Sequence, residues 1–302
     1  MQMTASATGY RTTTAVLAIV ASVFALSLGD AVIKATSLSL PLWQMYILRS
    51  ALALPVLWLL ARRGGRVSIR APFWVVLRSA LLVLMWLSYY AALPKMPLSL
   101  AAAAYYSGPI FILIIASLVV RRWPSAGVLA AIALGFVGVV LIVRPDTAGF
   151  QIVTLLPLAA ALLYACAMVL TSAKCRSEDP FVLALGLNAA FVIAGAVIAL
   201  FAGSEGSFIF GPWRPIDPTL LAIVAVLALS ILVGSVGAAI AYQNGPPGTV
   251  AVFDYCYLVF SLLWGVVWFD ELPAPLALIG IGAIFAAGML AILSQRRARR
   301  TT

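Results

Sequence analysis

Ten apolar runs, each about as long as a bilayer is thick, leave this chain little choice of fold. A helix needs about 20 mostly apolar residues to cross the hydrocarbon core. The runs cover residues 14–34, 42–61, 72–93, 98–120, 124–143, 154–173, 180–203, 218–241, 248–269 and 274–293. Inside lipid every backbone N–H and C=O must find a partner within the protein, so runs of this length are read as helices. The connections are short and marked by proline or glycine, as in "LPKMP" (93–97), "RRWPS" (121–125) and "NGPPG" (244–248). The longest, "GSEGSFIFGPWRPIDP" (203–218), has no room for a soluble domain. The chain is 64% hydrophobic and 9% charged, against about 45–50% and about 25% in soluble domains. The first run is read as a retained helix, because no small-residue cleavage site follows it. The expected fold is an all-α integral membrane protein with ten transmembrane helices.

The net charge of +10 belongs to topology. Lysine and arginine cluster in the segments that face the cytoplasm. With both termini inside, cytoplasmic segments hold 13 basic residues, among them Arg62, Arg63, Arg121, Arg122, Arg296 and Arg297. The outer segments hold 4: Lys34, Lys95, Arg144 and Arg214. No basic stripe interleaved with aromatics marks a nucleic-acid surface. The expected surroundings are membrane lipid and a small-molecule substrate, with no nucleic acid, in a cytoplasmic (inner) membrane. The chain is expected to be a monomer or a weak dimer.

Two stretches repeat. "PLSLAAAAYYSGPIFILIIASLVVRRWPSAGVLAAIALGFVGVVLI" (97–142) aligns without a gap on "PPGTVAVFDYCYLVFSLLWGVVWFDELPAPLALIGIGAIFAAGMLA" (246–291). Pro97 falls on Pro246, Tyr106 on Tyr255, Phe111 on Phe260 and Pro124 on Pro273, while Arg121-Arg122 falls on Asp270-Glu271. Five helices per half is an odd number, so the second half is inverted in the membrane. A basic cytoplasmic turn then becomes a non-basic outer one. The halves are residues 1–145 and 146–302. Inverted repeats are a recurring architecture of secondary transporters, with the substrate near the midplane between halves.

The motifs "GDAVIK" (29–34), "WQMYILRS" (43–50), "LPKMPLSLAAAAYYSGPIF" (93–111), "GFVGVVLIVRP" (135–145) and "FDYCYLVFSLLWGVVWFDELP" (253–273) resemble the drug/metabolite transporter superfamily in its form with two EamA-type repeats. Among its branches the sequence looks closest to riboflavin and S-adenosylmethionine carriers, and more distantly to amino-acid exporters. The resemblance implies a central cavity lined by spans 1, 3, 4, 6, 8 and 9. Spans 5 and 10 carry no internal charge and several small residues, and are expected outside it. One departure stands out. The family's acidic residue closing span 4 is replaced here by Arg121-Arg122, whereas Glu271 closes span 9.

Other chemistry is poorly served. There is no histidine, so the commonest general base and metal ligand is missing. The three cysteines have no metal or disulfide spacing. No nucleotide-binding loop and no Gly-x-Ser-x-Gly motif occurs. Neither an enzyme, a metal site nor a cofactor is expected. What remains are charges inside the membrane: Asp30, Lys34, Arg49, Arg78 and Asp254. A charge at mid-bilayer costs about 2.5–3.5 kcal/mol, so each needs a partner or a wet cavity. Depth pairs Asp30 with Arg49 in the outer third, and Arg78 with Asp254 in the inner third. Lys34 lies one turn from Asp30 and near its helix end, where it is able to snorkel. For Asp254 two readings stand, a substrate or proton site and a buried pair with Arg78. For Asp30 and Arg49 the structural pairing is favoured.

Aromatics accompany these charges. Trp86, Tyr89, Tyr105, Tyr106, Tyr164 and Tyr255, with Ser107 and Asp254, are read as lining a mildly polar cavity. Such a cavity suits a planar or cationic organic molecule. Pro109 and Pro157 are expected to kink spans 4 and 6. The small residues Ser230, Gly234 and Ala238, and likewise Ala131 and Gly135, mark close helix contacts. The reading is a secondary-active transporter of small organic metabolites, such as amino acids or aromatic and cationic solutes, working by alternating access. The alternative is an uncoupled facilitator or channel.

Overall fold

The computed structural model describes residues 3–36, 40–63, 67–120, 126–143, 152–245, 250, 253–254, 256–272 and 275–300. Arg66, Arg121, Arg122, Arg144 and Tyr255 lie outside the described residues. All regular structure among those described is helical. The helices are α1 (Met3–Thr36), α2 (Leu42–Arg62), α3 (Pro72–Ala92), α4 (Leu98–Tyr105), α5 (Gly108–Val120), α6 (Ala126–Val143), α7 (Leu156–Lys174), α8 (Pro180–Ala199), α9 (Pro218–Asn244), α10 (Cys256–Phe269) and α11 (Pro275–Arg300). Short 3₁₀ turns, Leu93–Lys95 and Ile152–Leu155, precede α4 and α7. Among the described residues six helices are long and apolar enough to cross a membrane: α1, α2, α3 with its 3₁₀ turn, α7, α8 and α9. Shorter apolar helices lie within α5, α6, α10 and α11.

The fourth apolar run is not one helix. It breaks at Tyr106-Ser107, and α5 restarts at Gly108. Pro109 accounts for the break, since it has no N–H to offer the Tyr105 carbonyl and its ring crowds the preceding turn. Pro157 behaves otherwise, and the expected kink is absent. It is the second residue of α7, where the N–H would have no intrahelical partner, so proline fits without distortion.

Small residues set the closest packing. α1 lies along α9, where the Ser22 hydroxyl donates to the Gly234 carbonyl at 2.7 Å. A Cβ on Gly237 would stand 2.8 Å from the Ala18 carbonyl oxygen, so only glycine allows this approach. The other principal pairings are α2 with α8, α3 with α7, α6 with α11, α1 with α10, and α5 with α7. The segment after α8 folds back on α2. Trp43 Nε1 donates to the Gly211 carbonyl at 2.9 Å, and the Gln44 amide exchanges two hydrogen bonds with the Arg214 backbone.

The polarity is inside out. Arg49, Arg78, Asp30 and Asp254 are buried, whereas Phe73, Val76, Phe136, Leu229 and Val267 face outward, each more than 60% exposed. An apolar surface of this extent suits lipid and would aggregate in water. The chain is a multi-pass membrane protein.

Candidate functional site: a tyrosine-walled cavity with two carboxylates

Where α1, α3, α4, α7, α9 and α10 converge they leave a central cavity, to which α8 contributes Leu187. Among the described residues none of its lining comes from α6 or α11, which pack on each other. The free volume is about 40 Å³, room for a few waters, since one water needs about 10–15 Å³ by this measure. Its walls carry Asp30, Arg78 and Asp254, and the rings of Trp86, Tyr89, Tyr105, Tyr106, Tyr164 and Tyr257.

Each carboxylate is held by two tyrosines from other helices. Asp254 Oδ2 accepts from Tyr164 of α7 at 2.8 Å and from Tyr242 of α9 at 2.7 Å. Asp30 Oδ1 accepts from Tyr90 of α3 at 3.2 Å, and its Oδ2 accepts from Tyr257 of α10. The Tyr257 hydroxyl gives its single proton to Asp30, so at 3.0 Å it is Tyr89 that donates to Tyr257. Hydrogen bonds to a charged partner contribute about 1.5–3 kcal/mol each, which is how these carboxylates are tolerated in the interior.

The expected charge pairs are replaced by other partners. No salt bridge joins Asp254 to Arg78, although both line the cavity. Arg78 Nε donates to the Thr171 hydroxyl at 2.7 Å, and its Nη1 reaches the Leu183 carbonyl at 3.4 Å. Matched depth brought these residues to one cavity, but their helices turn them to different walls. Asp30 and Arg49 do not touch either. The Tyr90 hydroxyl stands between them, accepting from Arg49 Nη1 at 3.4 Å. The guanidinium lies among three rings, 4.9 Å from Tyr46, 5.8 Å from Tyr90 and 4.4 Å from Phe191. Its Nε and Nη2 have no acceptor among the described residues, although Arg49 is only 2% exposed. Lys34 pairs with Glu271 at 2.6 Å rather than with Asp30.

That last pair tops a seam between α1 and α10. From the middle outward it runs through the edge-on rings of Phe24 and Phe260, 5.2 Å apart, and Trp264 Nε1 donating to Ser27 at 3.1 Å. Lys34–Glu271 follows at the helix ends, while Asp30–Tyr257 joins α1 to the start of α10, about a turn before Phe260. Glu271 also accepts from the Leu98 N–H at 2.9 Å, and Lys34 donates to the Met96 carbonyl at 3.0 Å. The turn into α4 is thus tied to the seam.

Of the residues singled out from sequence, Trp86, Tyr89, Tyr105, Tyr106, Tyr164 and Asp254 line the cavity. Tyr106 stacks on Tyr257 at 5.0 Å, and Tyr105 touches Tyr89, Tyr106 and Tyr164 within 5.3–5.6 Å. Ser107 turns away, donating to the Ala104 carbonyl at 2.9 Å, and does not line it. Tyr242 and Tyr257 were missed as partners of the carboxylates. Neither had a local signal, since Tyr242 meets Asp254 from α9 and Tyr257 meets Asp30 on α1. Among the described residues no cluster of metal-ligating side chains occurs.

Comparison with known proteins bears on what this arrangement belongs to. Residues 13–144 match the model of the EamA-like transporter family. Among curated relatives, a riboflavin transporter of Brucella anthropi is 27% identical over 82% of this chain and 86% of its own. The pseudopaline exporter CntI of Pseudomonas aeruginosa is 23% identical over 93% and 96%. A crystal structure superposes with a TM-score of 0.68 over 97% of this chain and 99% of that one at 19% identity, a likeness of fold alone. The matched residues hold most of α1 and all of α2 to α6, and so supply Asp30, Arg78 and most of the cavity's rings. Asp254, Tyr164, Tyr242 and Tyr257 come from the rest of the chain.

Proposed function

We propose that this chain is a secondary-active transporter of ten spans, arranged as two inverted five-helix repeats (1–145 and 146–302), that moves small aromatic or cationic organic solutes by alternating access. The observation that carries this reading is the composition of the cavity wall. Both halves contribute one carboxylate to a box of aromatic rings, and among the described residues each carboxylate is held by tyrosine hydroxyls. The Tyr164 and Tyr242 hydroxyls leave the negative charge of Asp254 in place, free to attract a cation, where a direct pair with Arg78 would have cancelled it. Ring faces add cation–π attraction and flat apolar surface.

The packing supports the repeat. Exchanging each helix of the first half with its counterpart in the second turns the α1–α9 pairing into α7–α3. It turns α1–α10 into the α7 contact with α4 and α5, and α2–α9 into α8–α3, all of which are present. The pairs α2–α8 and α6–α11 map onto themselves. In the orientation set by the basic residues, both termini are cytoplasmic and the α1–α10 seam is the outer gate of a protein in the inner membrane. The conformation is closed on the outside, with the cavity collapsed to the size of a few waters. Solute entry then requires the rings to part.

A thermal-shift screen of the purified protein against flavins, S-adenosylmethionine, aromatic amino acids, nucleosides and quaternary amines tests the reading. A ligand at 100 times its Kd stabilises the folded state by about 2.7 kcal/mol. A planar cation that stabilises the wild type and fails to stabilise Asp254→Asn is the expected result. Stabilisation by anionic solutes alone, unchanged in Asp254→Asn, would contradict it.

A further inference from the structure

Among the described residues Arg49 is the buried charged group with two donor nitrogens left without an acceptor. It sits on α2, 2% exposed, with Nε and Nη2 unpartnered among the described residues. The Tyr46 ring lies 4.9 Å from the guanidinium, and its hydroxyl is also without a partner among those residues. Buried donors on a charged group rarely go unmet, so an acceptor is expected in some state of the protein. The Tyr46 and Phe191 rings lie 4.9 and 4.4 Å from the guanidinium, and their faces offer its N–H groups no acceptor oxygen.

Charge decides what the acceptor is. Arg49 and Asp30 balance each other across the Tyr90 hydroxyl. A resident anion would leave a buried net negative charge, at high cost in lipid. The carboxylate already present is Asp30, one hydroxyl away, at 3.4 and 3.2 Å along the chain Arg49–Tyr90–Asp30.

Asp30 has a matching need. In this state its Oδ2 is met by Tyr257, which stands on α10 across the seam. When α1 and α10 part, that hydroxyl leaves with α10, and a buried carboxylate loses a donor. We propose that Asp30 then exchanges Tyr257 for Arg49, so that opening of the outer gate is coupled to formation of a direct Asp30–Arg49 ion pair within the first half. This rests on the alternating-access reading. Helix shifts of about 1–2 Å with side-chain rotation are ordinary for such transitions and suffice to close the one-hydroxyl gap. Arg49 is thus a positioning residue. It keeps Asp30 satisfied in the open state and shapes no part of the cavity wall.

The test reads gate opening directly, without a substrate. Ser27→Cys, in a background with Cys166, Cys175 and Cys256 replaced by alanine, is labelled from outside with a membrane-impermeant methanethiosulfonate. Arg49→Met is expected to slow labelling by about fivefold or more. Asp30→Asn added to it restores the rate, because an amide does not need a guanidinium. Arg49→Lys, which keeps the charge if the methionine variant folds poorly, falls between. Labelling at the wild-type rate in Arg49→Met or Arg49→Lys overturns the exchange and leaves alternating access standing. No labelling in the Ser27→Cys parent overturns both, since the gate then never opens. A melting temperature that falls when chloride is replaced by gluconate, in wild type and not in Arg49→Met, assigns the vacant donors to a resident anion and also overturns the exchange.

Discussion

Removing one hydroxyl from the pair that holds Asp254 separates two roles that tyrosine plays in this cavity. In Tyr242→Phe the ring stays and the 2.7 Å donor to Asp254 Oδ2 is lost. Tyr164 remains as the other donor, at 2.8 Å. The carboxylate is 2% exposed, so water does not take the empty place freely. A hydrogen bond to a charged group is worth about 1.5–3 kcal/mol. For a chain of this length each kcal/mol moves the melting temperature by about 2 °C. Tyr242→Phe should therefore melt about 3–6 °C below wild type in one detergent and at one protein concentration. Tyr164→Phe should do the same. The double variant should fall by more than the sum, because the second deletion leaves Asp254 with neither hydroxyl. Tyr105→Phe is the control. Its ring touches Tyr89, Tyr106 and Tyr164, and its variant should melt within about 1 °C of wild type. Equal shifts for Tyr105→Phe and Tyr242→Phe would refute the reasoning, since the hydroxyl on Asp254 would then be no different from one in a ring contact.

Other outcomes follow from the same contacts. Thr171→Val removes the acceptor of Arg78 Nε inside the protein and should cost about 1.5–3 kcal/mol, read as a melting shift. Gly237→Ala presses a methyl against the Ala18 carbonyl and should destabilise by about 1–3 kcal/mol, as over-packing does. Glu271→Gln breaks the pair with Lys34 at the seam's end and should raise the outside labelling of Ser27→Cys severalfold. Tyr106→Cys should be protected from a water-soluble thiol reagent by bound solute, while Phe136→Cys, 66% exposed on the lipid side, should not react with that reagent.

Which parts of this were legible in the sequence depends on what each part needs. Span positions need only local hydropathy, and the helices lie where the apolar runs are. The break at Tyr106-Ser107 was signalled by Pro109. Pro157 misled, because its effect depends on whether the helix begins before it, and hydropathy places helix starts only to within a few residues. The cavity's rings were picked out because tyrosines deep in a helix demand a polar neighbour. The charge partners were not legible. Depth along a helix placed Asp254 level with Arg78, but pairing also needs the rotation of each helix and the identity of its neighbour. Tyr242 on α9 reaches Asp254 from another helix, and Glu271 reaches Lys34 because α10 lies on α1. Ser107 failed for a local reason, since a serine at a helix break finds a carbonyl in its own preceding turn.

The central claim is that the cavity is a carrier site exposed to one side at a time. Counterflow in proteoliposomes tests it most directly, using whichever solute raises the melting temperature. Liposomes preloaded with unlabelled solute should take up a labelled trace faster than empty ones, and Asp254→Asn should abolish the difference. Uptake that is equal in loaded and empty liposomes would make the protein a facilitator or channel and contradict the account.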